Sequence, residues 1–247
     1  MDSAWITWAR ITASTLTVLL KIPTGTGWRV RLCTGMCRAA WRHVGSRMQQ
    51  LKKIDKVLPE IMICGRSLDI FLDDIERFHG FTSPGLVLGG FMVDWAQELI
   101  GLDVEADAVV ETCHCLPDAV QIFTPCTIGN GWLKVLDWDK FALTLYDKRK
   151  LNGYRIWLDL KKTLLFPKIY NWYMRRVPKK NLSLEALLEE ILSARRSVLS
   201  CRAVQVTRMY GRKKKGNIEV CSTCGEAYST SQGDQCITCQ GEGYYSI

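Results

Sequence analysis

The sequence predicts a core that combines helices and strands, followed by a small C-terminal domain built on four cysteines. Two helical segments come first, strand segments follow, and a second pair of helical segments precedes the cysteines. These element types, and the two Cys-x-x-Cys pairs near the C-terminus, carry the prediction. A chain of 247 residues is long enough for one sizeable core and a small satellite domain.

The four cysteines of the C-terminal segment are the most specific signal in the chain. Cys221 and Cys224 form one Cys-x-x-Cys pair, and Cys236 and Cys239 form a second after eleven polar residues. Thiolates at this spacing form a tetrahedral zinc site, and a segment this short and polar needs a metal in order to fold. Two disulfides are the alternative reading, which a reducing compartment disfavours.

Positive charge is concentrated at the N-terminal end of the chain. Residues 1–47 carry seven arginines and lysines against one acid, hence six of the eight net positive charges. The remaining 200 residues are therefore close to neutral, which argues against a nucleic-acid-binding surface across the whole protein.

The segment 1–47 differs from the rest of the chain. Four of the nine tryptophans lie here, and no helical or strand period persists. It lacks the features of a signal peptide, and its longest apolar run is half of a membrane span. We expect translation to begin at Met48, which leaves 1–47 as a non-native or disordered extension; a basic anchor or targeting segment is the alternative. The predicted domains are thus 1–47, a core at 48–210 and a finger at 211–247.

Periodicity and turn signals place the elements of the core. Ser67 precedes an amphipathic helix, and Pro84 opens a second helix that ends near Gly101. The glycines of the second helix leave one face bare for close packing or a ligand. In chain order we predict a short helix within 51–65, helices at 67–78 and 84–100, a strand at 107–113, a helix at 117–123, strands at 133–136, 141–146 and 154–160, helices at 161–176 (interrupted at Pro167) and 183–198, and a strand at 204–209.

Metal-ligating side chains also gather in two segments of the core. His79 ends the first helix beside a glycine, and Cys113, His114 and Cys115 follow a predicted strand. If that strand persists, the two cysteines share one face and His114 lies on the other. A histidine with a thiolate suits zinc. The alternative is that these cysteines are small buried hydrophobic residues and that His79 is a hydrogen-bonded helix end.

These two segments resemble the E-subunit family of formylmethanofuran dehydrogenase. That family reads F-H-G-H-x-C-P-G-L at the first segment, where this chain has residues 78–86, F-H-G-F-T-S-P-G-L. At the second it reads C-x-x-D-A-I-Q and then C-T-x-G, which match Cys115–Gln121 and Cys126–Gly129. A terminal zinc finger is also common in that family. The resemblance covers about residues 66 to 160 and the finger.

The resemblance implies an α+β fold with a mixed β-sheet flanked by helices, and a metal site in the core. His79, Cys115 and Cys126 match family positions, whereas Phe81 and Ser83 replace a histidine and a cysteine. Cys113 and His114 are candidate substitutes. The predicted core site is therefore His79, Cys113, Cys115 and Cys126, lined also by Asp118. A core that has lost its metal is the alternative.

Three functions follow as hypotheses. The first is a cytoplasmic, metal-binding accessory or interaction protein whose cofactor is zinc and whose core takes a metal or a small anionic ligand beside the Pro84 helix. The second is a small zinc enzyme with Asp118 or Glu111 as proton carrier. The third, a nucleic-acid binder using Arg212–Lys215 and the finger, is disfavoured by the near-neutral body. The resemblance ties the chain to molybdenum- or tungsten-dependent formylmethanofuran dehydrogenase, in which a pterin-bound metal on another subunit carries the redox chemistry. This chain shows no recognised pattern for holding that cofactor, so dehydrogenase catalysis is not assigned to it. The partner would be another protein or a second copy, and the apolar segment 161–176 would pack internally in preference to a second copy.

Overall fold

The computed structural model describes residues 19–24, 27–32, 61–178, 181–208, 210 and 216–245. The chain divides into two units, Met1–Val57 and Leu58–Ile247, each described by itself. In the first unit, strand β1 (Leu19–Thr24) pairs antiparallel with β2 (Gly27–Leu32). The expected translation start at Met48 lies outside the described residues. So does the part of the predicted short helix that falls within residues 51–60.

A short hairpin opens the second unit. Strands β3 (Met62–Ile63) and β4 (Arg66–Ser67) are joined by Cys64 and Gly65, both of which have positive φ. Two left-handed residues in a row form the turn that a tight hairpin requires. The Asp94 carboxylate accepts a hydrogen bond from the Cys64 amide at 2.7 Å and holds the turn. Residues 62–65 therefore belong to a hairpin, and the short helix predicted within 51–65 does not extend into them.

Two helices follow, as predicted. Helix α1 (Leu68–His79) buries its apolar stripe and ends at Gly80, whose φ is +89°. Helix α2 (Pro84–Ile100) is capped by Ser83, whose hydroxyl accepts from the Leu86 amide at 3.2 Å. Because α2 is apolar on nearly every side, it is buried along most of its length, which marks it as the central helix of the core.

Five of the described strands form the core sheet: β5 (Ala106–Val110), β6 (Leu133–Val135), β7 (Ala142–Asp147), β8 (Asn152–Leu158) and β9 (Leu199–Gln205). Helix α3 (Leu116–Phe123) lies between β5 and β6 in sequence. The order is β6-β5-β7-β8-β9; β5 and β6 are parallel, and the other neighbours are antiparallel. The sheet is therefore mixed, which confirms the predicted fold class. The last strand starts at Leu199, five residues before its predicted start.

Further helices lie in the described part of the connection between β8 and β9. They are α4 (Leu160–Thr163), α5 (Pro167–Tyr173) and α6 (Leu184–Ala194), which is followed by a 3-10 turn. The predicted break at Pro167 is confirmed. Ile169 is fully buried while Leu164 and Leu165 are exposed, so only part of the apolar segment 161–176 packs internally. Within the described ranges, no helix has the length and apolar character needed to cross a bilayer.

Helix α2 contacts α3, α6 and the two strands β7 and β8. Its glycines allow the approach to its neighbours. A Cβ on Gly89 would stand 2.8 Å from the Ala119 Cβ of α3, and one on Gly90 would stand 2.3 Å from the Phe71 ring of α1. Close helix packing thus uses the face that the sequence left open for either packing or a ligand.

Candidate functional site

The four C-terminal cysteines converge on one point. Strands β10 (Ile218–Val220) and β11 (Ala227–Ser229) form an antiparallel pair whose connection carries Cys221 and Cys224. Cys236 precedes the helical turn Thr238–Glu242, and Cys239 lies in it. All four sulfur atoms lie within 4.8 Å of one another.

Local backbone geometry builds each half of this cluster. The Gly225 amide donates to the Cys221 carbonyl at 2.9 Å, and Gly225 takes a φ of +77°. The Cys239 amide donates to the Cys236 carbonyl at 2.9 Å in the second half. Each Cys-x-x-Cys pair therefore lies in a tight turn that brings its two sulfur atoms together.

The donor set of the cluster fits zinc. The Cys224 and Cys236 sulfur atoms are 3.7 Å apart, close to the separation of about 3.8 Å that two 2.3 Å zinc–sulfur bonds impose in a tetrahedron. Backbone amides, first that of Cys236, lower the pKa of Cys221 to about 6, whereas a hydrogen bond with the Cys236 side chain is the main cause that raises the pKa of Cys239 to about 12. Cys221 is therefore the cysteine that most readily offers a thiolate to a metal. Four thiolates leave no open position, so such a zinc would be structural.

A second cluster lies in the core, where the turn after α1 meets the start of α3. His79 Nδ1 is 2.7 Å from Asp118 Oδ2, and both side chains are half-buried. Because a carboxylate oxygen only accepts, this contact assigns the proton to Nδ1 and leaves Nε2 with a free lone pair when the ring is neutral. The Phe81 ring packs 4.8 Å from the imidazole and is half exposed.

Ser83 and Cys115 make the second contact of the core cluster. The Ser83 hydroxyl donates to the Cys115 sulfur at 3.4 Å, across the junction of α2 and α3. Cys115 caps α3 with a φ of +51°, a conformation that non-glycine residues rarely adopt. Gly85 makes room for it, because a Cβ there would stand 2.9 Å from the Cys115 Cβ.

The other predicted core residues lie elsewhere. Strand β5 ends at Val110, so the predicted alternation of Cys113, His114 and Cys115 along a strand does not hold. Cys113 is exposed, and a hydrogen bond to the Asp137 carboxylate is the main cause that raises the pKa of its thiol. His114 is exposed as well.

Cys126 is fully buried beyond the far end of α3 from Cys115. Its thiol donates to the Ala106 carbonyl at 3.2 Å, and burial raises its pKa. This environment matches the alternative reading of a small buried hydrophobic residue. A role as a metal ligand stays a prediction for Cys113 and Cys126.

Glu111 forms an ion pair with Arg155. Its two oxygens accept from Arg155 Nε at 2.6 Å and Nη2 at 2.7 Å, and the Arg155 guanidinium lies 5.3 Å from the centre of the Trp157 ring. A bidentate arginine stabilises the ionised carboxylate. The structure therefore gives Glu111 a structural partner and leaves Asp118 as the carboxylate beside His79.

In the part of the chain that the structure describes, the finger is the one group of three or more metal-ligating side chains that converges. The core offers a smaller donor set, His79 and Cys115, with Asp118 and Ser83 as their hydrogen-bond partners. From the sequence, Ser83 is expected only as the replacement of a family cysteine. Its proximity to Cys115 follows from the packing of α2 on α3, which no local pattern reveals.

Comparisons with known proteins agree with this architecture. Residues 78–208 match the sequence profile of the family described as FmdE, Molybdenum formylmethanofuran dehydrogenase operon. Residues 212–246 match the FmdE treble clef zinc finger. The first match alone covers more than half of the chain.

A solved structure and a curated relative are also similar. The crystal structure of a tungsten formylmethanofuran dehydrogenase E-subunit (FmdE)-like protein from Syntrophus aciditrophicus superposes with a TM-score of 0.70 at 39% sequence identity, covering 76% of this chain and 100% of that one. A probable S-adenosyl-L-methionine-binding protein of Archaeoglobus fulgidus is 36% identical over 92 residues. The match spans 34% of this chain and only 25% of that relative. With its mixed sheet, its four-cysteine finger and these matches, the chain belongs to the FmdE family.

Proposed function

We propose that this chain is a zinc-containing accessory or interaction protein whose core cluster binds a metal ion or a small anionic ligand. The observation that carries the proposal is the 2.7 Å contact between His79 and Asp118 beside the Ser83–Cys115 pair. The finger would hold a structural zinc, and the core would be the functional site.

The His79–Asp118 pair supports metal binding by its chemistry. Histidines that ligate metals almost always donate their other ring N–H to a carboxylate or a carbonyl, which fixes the ring and raises its basicity. His79 Nε2 and Cys115 Sγ would be the protein ligands, and Asp118 would orient the ring. A bound zinc would supply Lewis acidity there, while these residues position the ligand atoms and hold the Nδ1 proton.

An anionic ligand is the alternative occupant of the same cluster. It would lie at the start of α2, where the amides of a first helical turn favour negative charge. The Ser83 hydroxyl and carbonyl already accept from the Leu86 amide, and Pro84 has no N–H to offer. The Gly85 amide and a protonated His79 would therefore be the donors to the anion. Of the two predicted proton carriers, Glu111 is held by Arg155 and Asp118 is paired with His79, so the proposal is limited to binding.

A protein partner is also part of the proposal. The matched family is named for the formylmethanofuran dehydrogenase operon, and a similar solved protein is called FmdE-like. Exposed leucines on the segment after α4, Leu164 and Leu165, would offer apolar surface to such a partner. The basic run Arg212–Lys215 lies outside the described residues, and a cytoplasmic location stays a prediction.

Metal analysis of the purified full chain tests the proposal. We expect one tightly bound zinc that is lost in Cys221→Ser, and a second, weaker equivalent that is lost in Cys115→Ser and in His79→Ala. Cys201→Ser, a thiol on β9 outside both clusters, is the matched control and should keep both equivalents. A wild-type protein that never takes up a second equivalent, and binds neither phosphate nor another oxyanion in calorimetry, would refute the proposed core site.

A further inference from the structure

Ser83 occupies the position next to Cys115 in the core cluster. Its hydroxyl oxygen lies 3.4 Å from the Cys115 sulfur, and the residue is almost wholly buried at the start of α2. The finger provides an internal measure of what this separation means. There, two sulfur atoms that face one metal position, those of Cys224 and Cys236, are 3.7 Å apart.

The side chain at position 83 therefore lies as close to the Cys115 sulfur as two ligands of one metal lie to each other. A cysteine at position 83 would replace a carbon–oxygen bond by a longer carbon–sulfur bond. The oxygen–sulfur separation between Ser83 and Cys115 already agrees with the sulfur–sulfur separation in the finger to within a few tenths of an ångström. The neighbouring backbone lies close to the Cys115 side chain, since a Cβ added to Gly85 would stand 2.9 Å from the Cys115 Cβ, and the φ of Cys115 is +51°. The two side chains are thus held next to each other by the junction of α2 and α3.

The chemistry of the pair differs from that of two thiolates. A serine hydroxyl is a weak, neutral oxygen donor, whereas zinc and similar metals bind thiolate strongly. In addition, the hydroxyl donates its hydrogen to the Cys115 sulfur and uses part of that sulfur's electron density. The site then offers a single thiolate and one imidazole nitrogen, fewer strong ligands than a closed structural site has.

We infer that Ser83 determines the metal specificity and affinity of the core cluster: as serine it keeps the site from holding a thiophilic metal tightly, with positions open to exchangeable ligands. This inference rests on the proposed core site and deepens it. It predicts that one substitution, Ser83→Cys, is enough to convert the cluster into a two-thiolate site.

The experiment is cobalt binding to the full chain that carries one zinc equivalent, held by the finger, after the weaker equivalent has been removed. With the finger occupied by zinc, thiolate-to-cobalt charge-transfer absorption reports the core alone. We expect Ser83→Cys to bind cobalt at least about tenfold more tightly than wild type, since even changes outside the ligand shell alter metal affinity by 10–100-fold. The absorption per bound cobalt should also increase, because two thiolates replace one.

Two variants separate this effect from a change in folding. Ser83→Ala also removes the Ser83 cap of α2 and frees the Cys115 sulfur of its hydrogen bond but adds no ligand, so its gain in cobalt affinity should stay well below that of Ser83→Cys, and its absorption per bound cobalt should not increase. Ser83→Cys combined with Cys115→Ser should lose the gain. One tightly bound finger zinc per chain and equal circular dichroism in all variants establish that each protein is folded.

The outcomes distinguish this inference from the proposed function. If wild type binds no core metal but Ser83→Cys binds one that depends on Cys115, the metal part of the proposed function fails and the role of Ser83 stands. If wild type binds a core metal and Ser83→Cys leaves its affinity and spectrum unchanged, the role of Ser83 is overturned. Absence of core cobalt in both proteins, or a gain that survives Cys115→Ser, overturns it as well.

Discussion

Asp118 and His79 are joined by a 2.7 Å contact between a carboxylate oxygen and an imidazole nitrogen. The two residues are 39 positions apart, one at the end of α1 and the other in the first turn of α3. The contact fixes the ring, assigns its proton to Nδ1 and leaves Nε2 for a ligand. It links the packing of the two helices to the chemistry of the core cluster.

Replacing Asp118 by Asn tests this link. The amide is a weaker acceptor, so it orients the His79 ring less firmly. We expect the affinity of the core metal to fall by about 10–100-fold while the finger keeps its zinc. Zinc titration against a chelator measures both equivalents. The exposed Asp103→Asn is the control, and an Asp118→Asn protein with unchanged core affinity would contradict the role given to this pair.

Loss of one finger cysteine should unfold the C-terminal domain. Structural zinc contributes about 10–16 kcal/mol to the folding of small zinc domains, far more than this polar segment can supply otherwise. Cys224→Ser is therefore expected to abolish tight zinc binding and to make residues 216–245 sensitive to protease, while the core stays folded. Limited proteolysis with mass spectrometry measures this. A resistant tail in zinc-free protein would contradict a metal-dependent fold.

The approach of α2 to α1 leaves no room for a side chain at Gly90. A Cβ there would stand 2.3 and 2.4 Å from two atoms of the Phe71 ring, which is itself stacked on Phe123 at 4.8 Å. Helix propensity alone would make Gly90→Ala stabilising by about 0.5–1 kcal/mol.

We expect the opposite sign, a destabilisation of about 1–3 kcal/mol, because overpacking of the core dominates. Urea unfolding gives the difference. At Gly129, a surface position, an added Cβ would meet only an ordinary contact at 3.9 Å, so Gly129→Ala serves as the control. A Gly90→Ala protein as stable as that control would show that Phe71 yields easily.

Removing one partner of the Glu111–Arg155 pair should lower the free energy of unfolding substantially. The Glu111 side chain is 8% exposed, and both of its oxygens accept from the arginine. Arg155→Met would leave a buried carboxylate without its partner, at a cost of about 3 kcal/mol in the free energy of unfolding. The double variant Glu111→Gln/Arg155→Met should recover a large part of the loss, which urea unfolding measures.

Arg149→Met, which breaks an exposed pair with Glu105, is the control and should cost at most about 1 kcal/mol in the free energy of unfolding. A single Arg155→Met variant no less stable than Arg149→Met would contradict this expectation.

Asp107 should make stability depend on pH. The residue is 8% exposed, one of its carboxylate oxygens has no hydrogen-bond partner among the described residues, and burial raises its pKa above 3.8. Because the folded state then binds the proton more tightly than the unfolded state, the stability gained from the neutral acid is lost as pH rises through the raised pKa.

Asp107→Asn removes this titration. Relative to the variant, wild type should lose stability as pH increases above about 4, until Asp107 is ionised in the folded state as well. Urea unfolding at several pH values in zinc-containing buffer measures the difference, with the exposed Asp139→Asn as control. Parallel pH profiles for wild type and Asp107→Asn would contradict the assignment.

Local pattern determined most of the elements. The apolar spacing of 68–78, the proline at 84 and the glycine at 101 place α1 and α2 correctly, because capping and periodicity act within a few residues. The cysteine spacing of the finger predicted a cluster whose sulfur atoms the structure brings within 4.8 Å of one another. The hairpin at 62–67 was missed, since its turn depends on Asp94, 30 residues from Cys64.

Only the tertiary structure decided the composition of the core cluster. Residue type and the family resemblance grouped His79 with Cys113, Cys115 and Cys126, but β5 ends before Cys113, and α3 separates Cys115 from Cys126. The contacts of Asp118 with His79 and of Ser83 with Cys115 arise from the packing of helices that are distant along the chain. Sequence thus determined which side chains can bind a metal, whereas helix packing, a long-range property, decided which of them meet.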